Sequence, residues 1–213
     1  MAATRAGDGQ RVTTTVAAHR AAQVRRETRE TTVDLSLDLD GTGRAEISTG
    51  VGFLDHMLES FARHARFDLS ITTSGDLHVD AHHTVEDVAI VLGQALDRAL
   101  DDKRGLRRFA DATAPLDEAL VQVAIDLSGR GFAVVDLPFG GDVIGALPTE
   151  LISHFLRSFA TEARLTLHVR LLGGENDHHR AEAAFKALAR ALELATRLDP
   201  RIADQVPSTK GSL

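Results

Sequence analysis

From Val33 onward apolar and polar residues alternate. Val33, Leu35, Leu37 and Leu39 fall on one side, a period of two that predicts a half-buried strand ending at the DGTG of residues 40–43. The period then lengthens: GVGFLDHMLESFARHAR, residues 50–66, has helical spacing after Phe53. LSITTSG follows as a short strand, and VEDVAIVLGQALDRAL, residues 85–100, reads as an amphipathic helix closed by the KRG of 103–105. The first 20 residues, MAATRAGDGQRVTTTVAAHR, carry no apolar period and are expected to form a flexible leader.

The same order of elements then recurs. EALVQVAIDLSGRG from Glu118 aligns with ETTVDLSLDLDGTG from Glu30 at an offset of 88. HFLRSFATEAR from His154 aligns with HMLESFARHAR from His56 at 98, and HHRAEAAFKALARAL from His178 with HHTVEDVAIVLGQAL from His82 at 96. Three blocks in one order describe a tandem duplication of a strand–helix–strand–helix unit, with further strands that the pattern does not place. A repeat occurring twice argues against a solenoid and for one pseudo-symmetric α+β domain. The expected division is a leader over 1–20, half-domains over 21–113 and 114–200, and a tail over 201–213. The growth in offset falls within the Gly- and Pro-punctuated 131–150 region, read as an insertion forming a surface or interface loop.

Composition narrows the chemistry. At 43% hydrophobic and 26% charged, the 213 residues suit a soluble globular protein, and the net charge of −7 argues against nucleic acid or an anionic membrane as partner. No apolar run approaches a membrane span and no signal-peptide pattern opens the chain, so a cytoplasmic location is expected. Cysteine is absent while histidine occurs ten times, so a bound metal would have nitrogen and oxygen ligands.

Each repeat supplies three histidines and one glutamate: His56, His82, His83 and Glu86, then His154, His178, His179 and Glu182. On a helix Glu86 shares a face with His82 or His83, and Glu182 with His178 or His179. Adjacent histidines point about 100° apart, which suits reaching two metals better than chelating one. Divided evenly, the set offers three imidazoles and one carboxylate per ion, leaving positions for substrate on a six-coordinate metal. Mn fits that donor set, with Fe, Co or Zn as substitutes. A duplicated core residue would be apolar, so retention of these four polar positions in both halves points to ligation. His19, His64, His78 and His168 have no such pairing and read as ordinary surface or core histidines. Glu30 and Glu118 are equivalent in the repeat. Arg108, Arg130 and the Ser208–Thr209–Lys210 stretch could bind an anion.

The strings GVGFLDHML, HHTVED, APLDEAL with DLSGR, and GENDHH with its following Glu resemble the imidazoleglycerol-phosphate dehydratases of histidine biosynthesis, in their single-function form, from about Arg20 to Gly211. The resemblance implies a duplicated α+β half-domain and assemblies of 24 subunits built from trimers, with active sites completed between subunits. It implies two Mn²⁺ per active site, held by the eight residues above. Substrate contacts would come from Glu30, Arg108, Arg130, Ser208, Thr209 and Lys210, and the substrate would be a small phosphate ester carrying an imidazole. The reaction would convert imidazole glycerol phosphate to imidazole acetol phosphate and water. No carbonyl adjoins the proton to be lost, so the ring must supply the electrons. Metals on both ring nitrogens would stabilise an imidazolate that expels the neighbouring hydroxyl through a diazafulvene-like intermediate. Glu30 and Glu182 are the candidates for acid–base work. Two other readings of the metal ligands are a two-metal hydrolase and a metal-storage assembly.

Overall fold

The computed structural model describes residues 19–213; the expected leader lies almost wholly outside them. The first half contains β1 (Ala21–Glu27), β2 (Thr31–Asp38), β3 (Ala45–Ser48), α1 (Gly52–Ala65), β4 (Asp68–Gly75) and α2 (His82–Leu100). The second contains β5 (Phe109–Leu116), β6 (Ala119–Asp126), β7 (Phe132–Asp136), a hairpin of β8 (Val143–Ile144) and β9 (Leu147–Pro148), then α3 (Thr149–Glu162), β10 (Thr166–Gly173) and α4 (Asp177–Ala195). Each half is a four-stranded sheet, in the orders β1-β2-β4-β3 and β5-β6-β10-β7. In each, the last-named strand runs parallel to its neighbour and the others are antiparallel. The duplicated α+β architecture is therefore present in full.

The unplaced strands are β1, β3, β5 and β7. Their inward faces carry small or mixed residues (Ala22, Val24 and Arg26 in β1; Ala110, Ala112 and Ala114 in β5), so the alternation that exposes β2 is faint there. β5 straddles residue 113, so the second sheet begins five residues before the expected half-domain boundary. The 131–150 stretch is only partly an insertion. Ala45 and Ala133 hold the same register against Leu69 and Leu167, at the offset of 88, so β7 is the counterpart of β3. The added residues lie after Asp136 and form the β8–β9 hairpin leading into α3.

The four helices lie between the two sheets. Val33, Leu35 and Leu37 of β2 and Val121, Val123 and Ile125 of β6 point inward and are buried. α2 covers β1 and β2, α4 covers β5 and β6, and the halves join where α1 packs on α4 and α2 packs on α3. The outer faces differ. Sheet one shows Gln23, Arg25, Asp34, Ser36 and Thr72, whereas sheet two adds Phe109, Phe132 and Val134, at 59%, 60% and 41% exposure, to Gln122, His168 and Arg170. Among the described residues no helix is long and apolar enough to cross a membrane.

The α2–α3 crossing is close because Gly93 faces α3. A Cβ there would stand 2.7 Å from the Phe159 carbonyl oxygen and 2.8 Å from the Ala163 nitrogen. These are backbone atoms, so relief requires the helices to separate. Gly93→Ala is therefore expected to cost about 1–3 kcal/mol through overpacking, against about 1 kcal/mol returned by alanine's helix propensity. Thermal denaturation at fixed protein concentration should show a lowered Tm; an unchanged or raised Tm would contradict the close-packed crossing.

Candidate metal centres

Two helix starts aim the histidine pairs. Asn176 caps α4, its side chain accepting from the backbone N–H of His178 (2.9 Å) and His179 (3.3 Å). At the equivalent position Asp80 accepts from the His82 N–H at 2.7 Å. Each side chain satisfies N–H groups that the first turn leaves without partners. The next turn then brings Glu86 beneath His82 and Glu182 beneath His178, an i,i+4 relation in both cases.

The other ligands arrive from the opposite half. His56 on α1 meets Glu182 and His178 on α4: its Nε2 is 3.3 Å from Glu182 Oε2, and His178 Nε2 is 3.2 Å from the same oxygen. His154 on α3 meets His82 and Glu86 on α2, with Nε2 3.0 Å from Glu86 Oε1 and the His82 and His154 rings 4.9 Å apart. The two clusters, His56–His178–Glu182 and His82–Glu86–His154, each offer three ligand atoms within 4.8 Å of one another. Imidazole nitrogens and a carboxylate oxygen converging in this way fit a divalent first-row ion of borderline or hard character. Phe53 walls the first cluster, its ring 5.0 Å from that of His178.

His83 and His179 belong to neither cluster, so a single chain gathers two imidazoles and a carboxylate per site rather than three and one. Their rings stand nearly perpendicular to those of His82 and His178, at 80° and 86°. His83 Nδ1 is 3.0 Å from Asp76 Oδ2, and His179 Nδ1 is 2.7 Å from Glu118 Oε2. A carboxylate on one ring nitrogen fixes the tautomer and orients the other nitrogen, the usual support for a metal-binding imidazole. The Asp76 bond raises the His83 pKa above its ordinary value, with Glu30 at 3.9 Å assisting. Glu118 does the same for His179. Glu118 itself is lowered to about 2, first by the Asn176 N–H, then by His179 and the Glu175 N–H.

The two glutamates of the clusters differ. Burial opposes ionisation of Glu182, but Lys186, with Nζ 2.7 Å from Oε1, and His56 outweigh it and hold the pKa below the ordinary carboxylate value. Glu86 has Ile90 where Glu182 has Lys186. Asp76 and Lys186 were not among the candidates read from the sequence. Lys186 had a signal, standing one helical turn after Glu182 on the same face; Asp76 had none, because the second half has Gly174 in its place.

The anion candidates collect at another corner. Arg108 Nε and Nη2 pair with Asp126 at 2.7 and 3.2 Å, and Nη1 donates to the Pro207 carbonyl at 2.7 Å. The tail turns there, with Lys210 N–H donating to Ser208 Oγ at 3.2 Å. Leu213 then packs on Gly129, beside Arg130, closely enough that no Cβ would fit. Arg108, Arg130 and Ser208–Lys210 thus share one region, with Arg108 anchoring the tail and two guanidinium N–H groups still available. His19, His64, His78 and His168 lie outside both metal clusters.

Residues 49–192 match the family profile of imidazoleglycerol-phosphate dehydratase. The chain belongs to the imidazoleglycerol-phosphate dehydratase family. That places it among the hydro-lyases. It is 56% identical to the imidazoleglycerol-phosphate dehydratase of Dehalococcoides mccartyi over 194 residues, 91% of this chain and 97% of the relative. It is 58% identical to that of Xanthobacter autotrophicus over 194 residues, 91% and 98% of the two chains. The fold is similar to the crystal structures of the Staphylococcus aureus enzyme (TM-score 0.77, 37% identity, 84% of this chain and 99% of that one) and of the Pyrococcus furiosus enzyme in complex with (S)-C348 (0.77, 38%, 89% and 100%).

Glu118→Gln removes the anion that raises the His179 pKa. In the metal-free protein a histidine-selective NMR titration should show His179 titrating at lower pH than in the unmodified chain, and metal affinity falling about 10–100-fold. An unmoved His179 titration would show that Glu118 does not orient the ring.

Proposed function

We propose that this chain is a manganese-dependent imidazoleglycerol-phosphate dehydratase, converting imidazole glycerol phosphate to imidazole acetol phosphate and water in histidine biosynthesis. The observation that carries the reading is the pair of His–His–Glu clusters, each built from both halves, flanked by two further imidazoles held on carboxylates. Two bound Mn²⁺, with Fe, Co or Zn as substitutes, would supply positive charge at the two nitrogens of the substrate's imidazole. His56, His178 and Glu182 would hold one ion, and His82, His154 and Glu86 the other. His83 and His179 would complete the sets through Nε2.

The chain's own groups then handle the proton and the phosphate. Among the described residues the Glu30 carboxylate accepts no hydrogen bond, and its nearest cationic partner is His83 at 3.9 Å. Glu182 has Lys186 on one oxygen and His56 and His178 on the other. That contrast favours Glu30 as the base that takes the carbon proton, leaving Glu182 a ligand. Arg108, Arg130, Ser208, Thr209 and Lys210 would hold the phosphate and fix the side chain relative to the ring.

A homo-oligomer with shared sites, the expected assembly being 24 subunits built from trimers, is supported by two features. His179 and Glu118 sit at the β5–β6 hairpin end, whereas Arg108 and Asp126 sit at the other end of those strands, roughly 25 Å away at about 3.3 Å per residue. A substrate with three carbons between ring and phosphate cannot span that distance, which supports a ring site at this cluster and a phosphate site contributed by different chains. On the outer face of sheet two Phe109 and Phe132, both more than half exposed, offer apolar anchors for such packing.

His83→Ala or His179→Ala should lose bound metal and turnover together and weaken the assembly, read by metal analysis, product formation and sedimentation. Full activity in either variant would sink the ligand assignment. Lys210→Ala should raise KM for the phosphate substrate while bound metal stays constant; a change confined to metal content would count against a phosphate role.

A further inference from the structure

The two halves anchor the same turn in opposite ways. In the second half the hairpin before β6 is tied down through its glutamate: Glu118 Oε1 accepts from the N–H groups of Glu175 (3.1 Å) and Asn176 (2.7 Å), and Oε2 meets His179. In the first half the equivalent turn is tied from beneath. Asp87, 5% exposed on α2, accepts from Arg26 Nε at 2.9 Å and from the Thr31 hydroxyl. Since Thr31 gives its proton to Asp87, the Thr28 hydroxyl is the donor to Thr31, shared between Oγ1 at 3.2 Å and the carbonyl oxygen at 3.4 Å. Thr28 Oγ1 in turn accepts the backbone N–H groups of Glu30 at 3.1 Å and Thr31 at 3.0 Å. A continuous chain of hydrogen bonds therefore runs from a buried carboxylate to the backbone of Glu30.

The duplication supplies the control. Strand register pairs Arg26 with Val33 and Ala114 with Val121, so Arg26 matches Ala114 and Thr31 matches Ala119; on the helices Asp87 matches Ala183. These three alanines are buried, at 7%, 1% and 0%. The second half closes the same turn with alanine at all three positions, so a turn of this kind can form without the polar set. Its distinctive effect is on Glu30, which is held by its main chain while its carboxylate stays unbonded among the described residues.

We propose that Asp87, acting through Thr31 and Thr28 with Arg26 as its counter-charge, is a positioning residue for Glu30. The network aims the Glu30 carboxylate at the substrate without occupying its oxygens, whereas the duplicate turn uses up its glutamate to orient His179. The inference rests on the proton-transfer role proposed for Glu30. Fixing the backbone of the turn matters because a shift of about 1 Å in a reacting group can cost two orders of magnitude in rate.

The test is the triple variant Arg26→Ala, Thr31→Ala, Asp87→Ala in the full-length assembled protein, which installs the residues of the second half. Folding, assembly size and metal per chain should match the unmodified protein, KM should change by less than about threefold, and kcat should fall about tenfold to a hundredfold. In a Glu30→Gln background the same triple change should have little further effect on kcat. Thr31→Ser, which keeps the hydroxyl, should retain kcat within about twofold, and Thr31→Val should not. An equal fractional loss with and without Glu30, or a loss of bound metal in the triple variant, would overturn the positioning role while leaving the dehydratase reading intact. Undiminished turnover by Glu30→Gln alone would sink the acid–base assignment, and the inference with it. Failure of the triple variant to fold would mean that the network serves folding, and would overturn the inference.

Discussion

The structure depends on a crossed pairing of helices. α1 of the first half packs on α4 of the second, and α2 on α3, so each metal cluster forms only when the halves are together. Neither half holds two histidines and a glutamate at one point by itself: α4 brings His178 and Glu182 but needs His56, and α2 brings His82 and Glu86 but needs His154. The apolar contacts that bury α2 and α4 between the sheets are also what set the ligand distances. Packing of the two halves and formation of each three-residue cluster are therefore linked, and Gly93 at the α2–α3 crossing lies on one of the two helix pairs that bring the cluster residues together.

Duplication has produced two related clusters with different surroundings. Both keep the imidazole pair at a helix start and the glutamate one turn later. The surroundings have diverged: Lys186 against Ile90 beside the cluster glutamates, Asp76 against Glu118 behind the second histidine, and Arg26–Thr31–Asp87 against three alanines beneath the turn. Such asymmetry suits the proposed dehydration, in which a ring with two nitrogens would be met from both sides while a single carbon proton is removed.

Much of this was legible in the sequence, for a physical reason. The helices and the central strands β2, β4 and β6 carry strong apolar periods, and the histidines repeat with them, so the duplication and all eight ligand candidates could be read directly. Sequence spacing leaves Glu86 a choice between His82 and His83; the structure places it with His82 and His154, and His83 on Asp76. The strands β1 and β5 were faint because their inward faces are alanine-rich or carry Arg26. The division of labour between adjacent histidines was not legible, since it depends on Asp76 and Glu118, which reach the rings from turns, the first without a counterpart in the other half and the second 61 residues away from its histidine. In the sequence Arg108 reads as a residue that could bind an anion; its bond to Asp126 and its hold on the Pro207 carbonyl are contacts that no local pattern encodes.

The most direct measurement is a titration of chelator-stripped protein with Mn²⁺, following bound metal per chain and formation of imidazole acetol phosphate from imidazole glycerol phosphate together. Two clusters per chain predict saturation near two ions per chain, with turnover absent before metal is added and rising with occupancy. Full turnover by the stripped protein, or saturation at a single ion per chain, would contradict a site made from two duplicated metal centres.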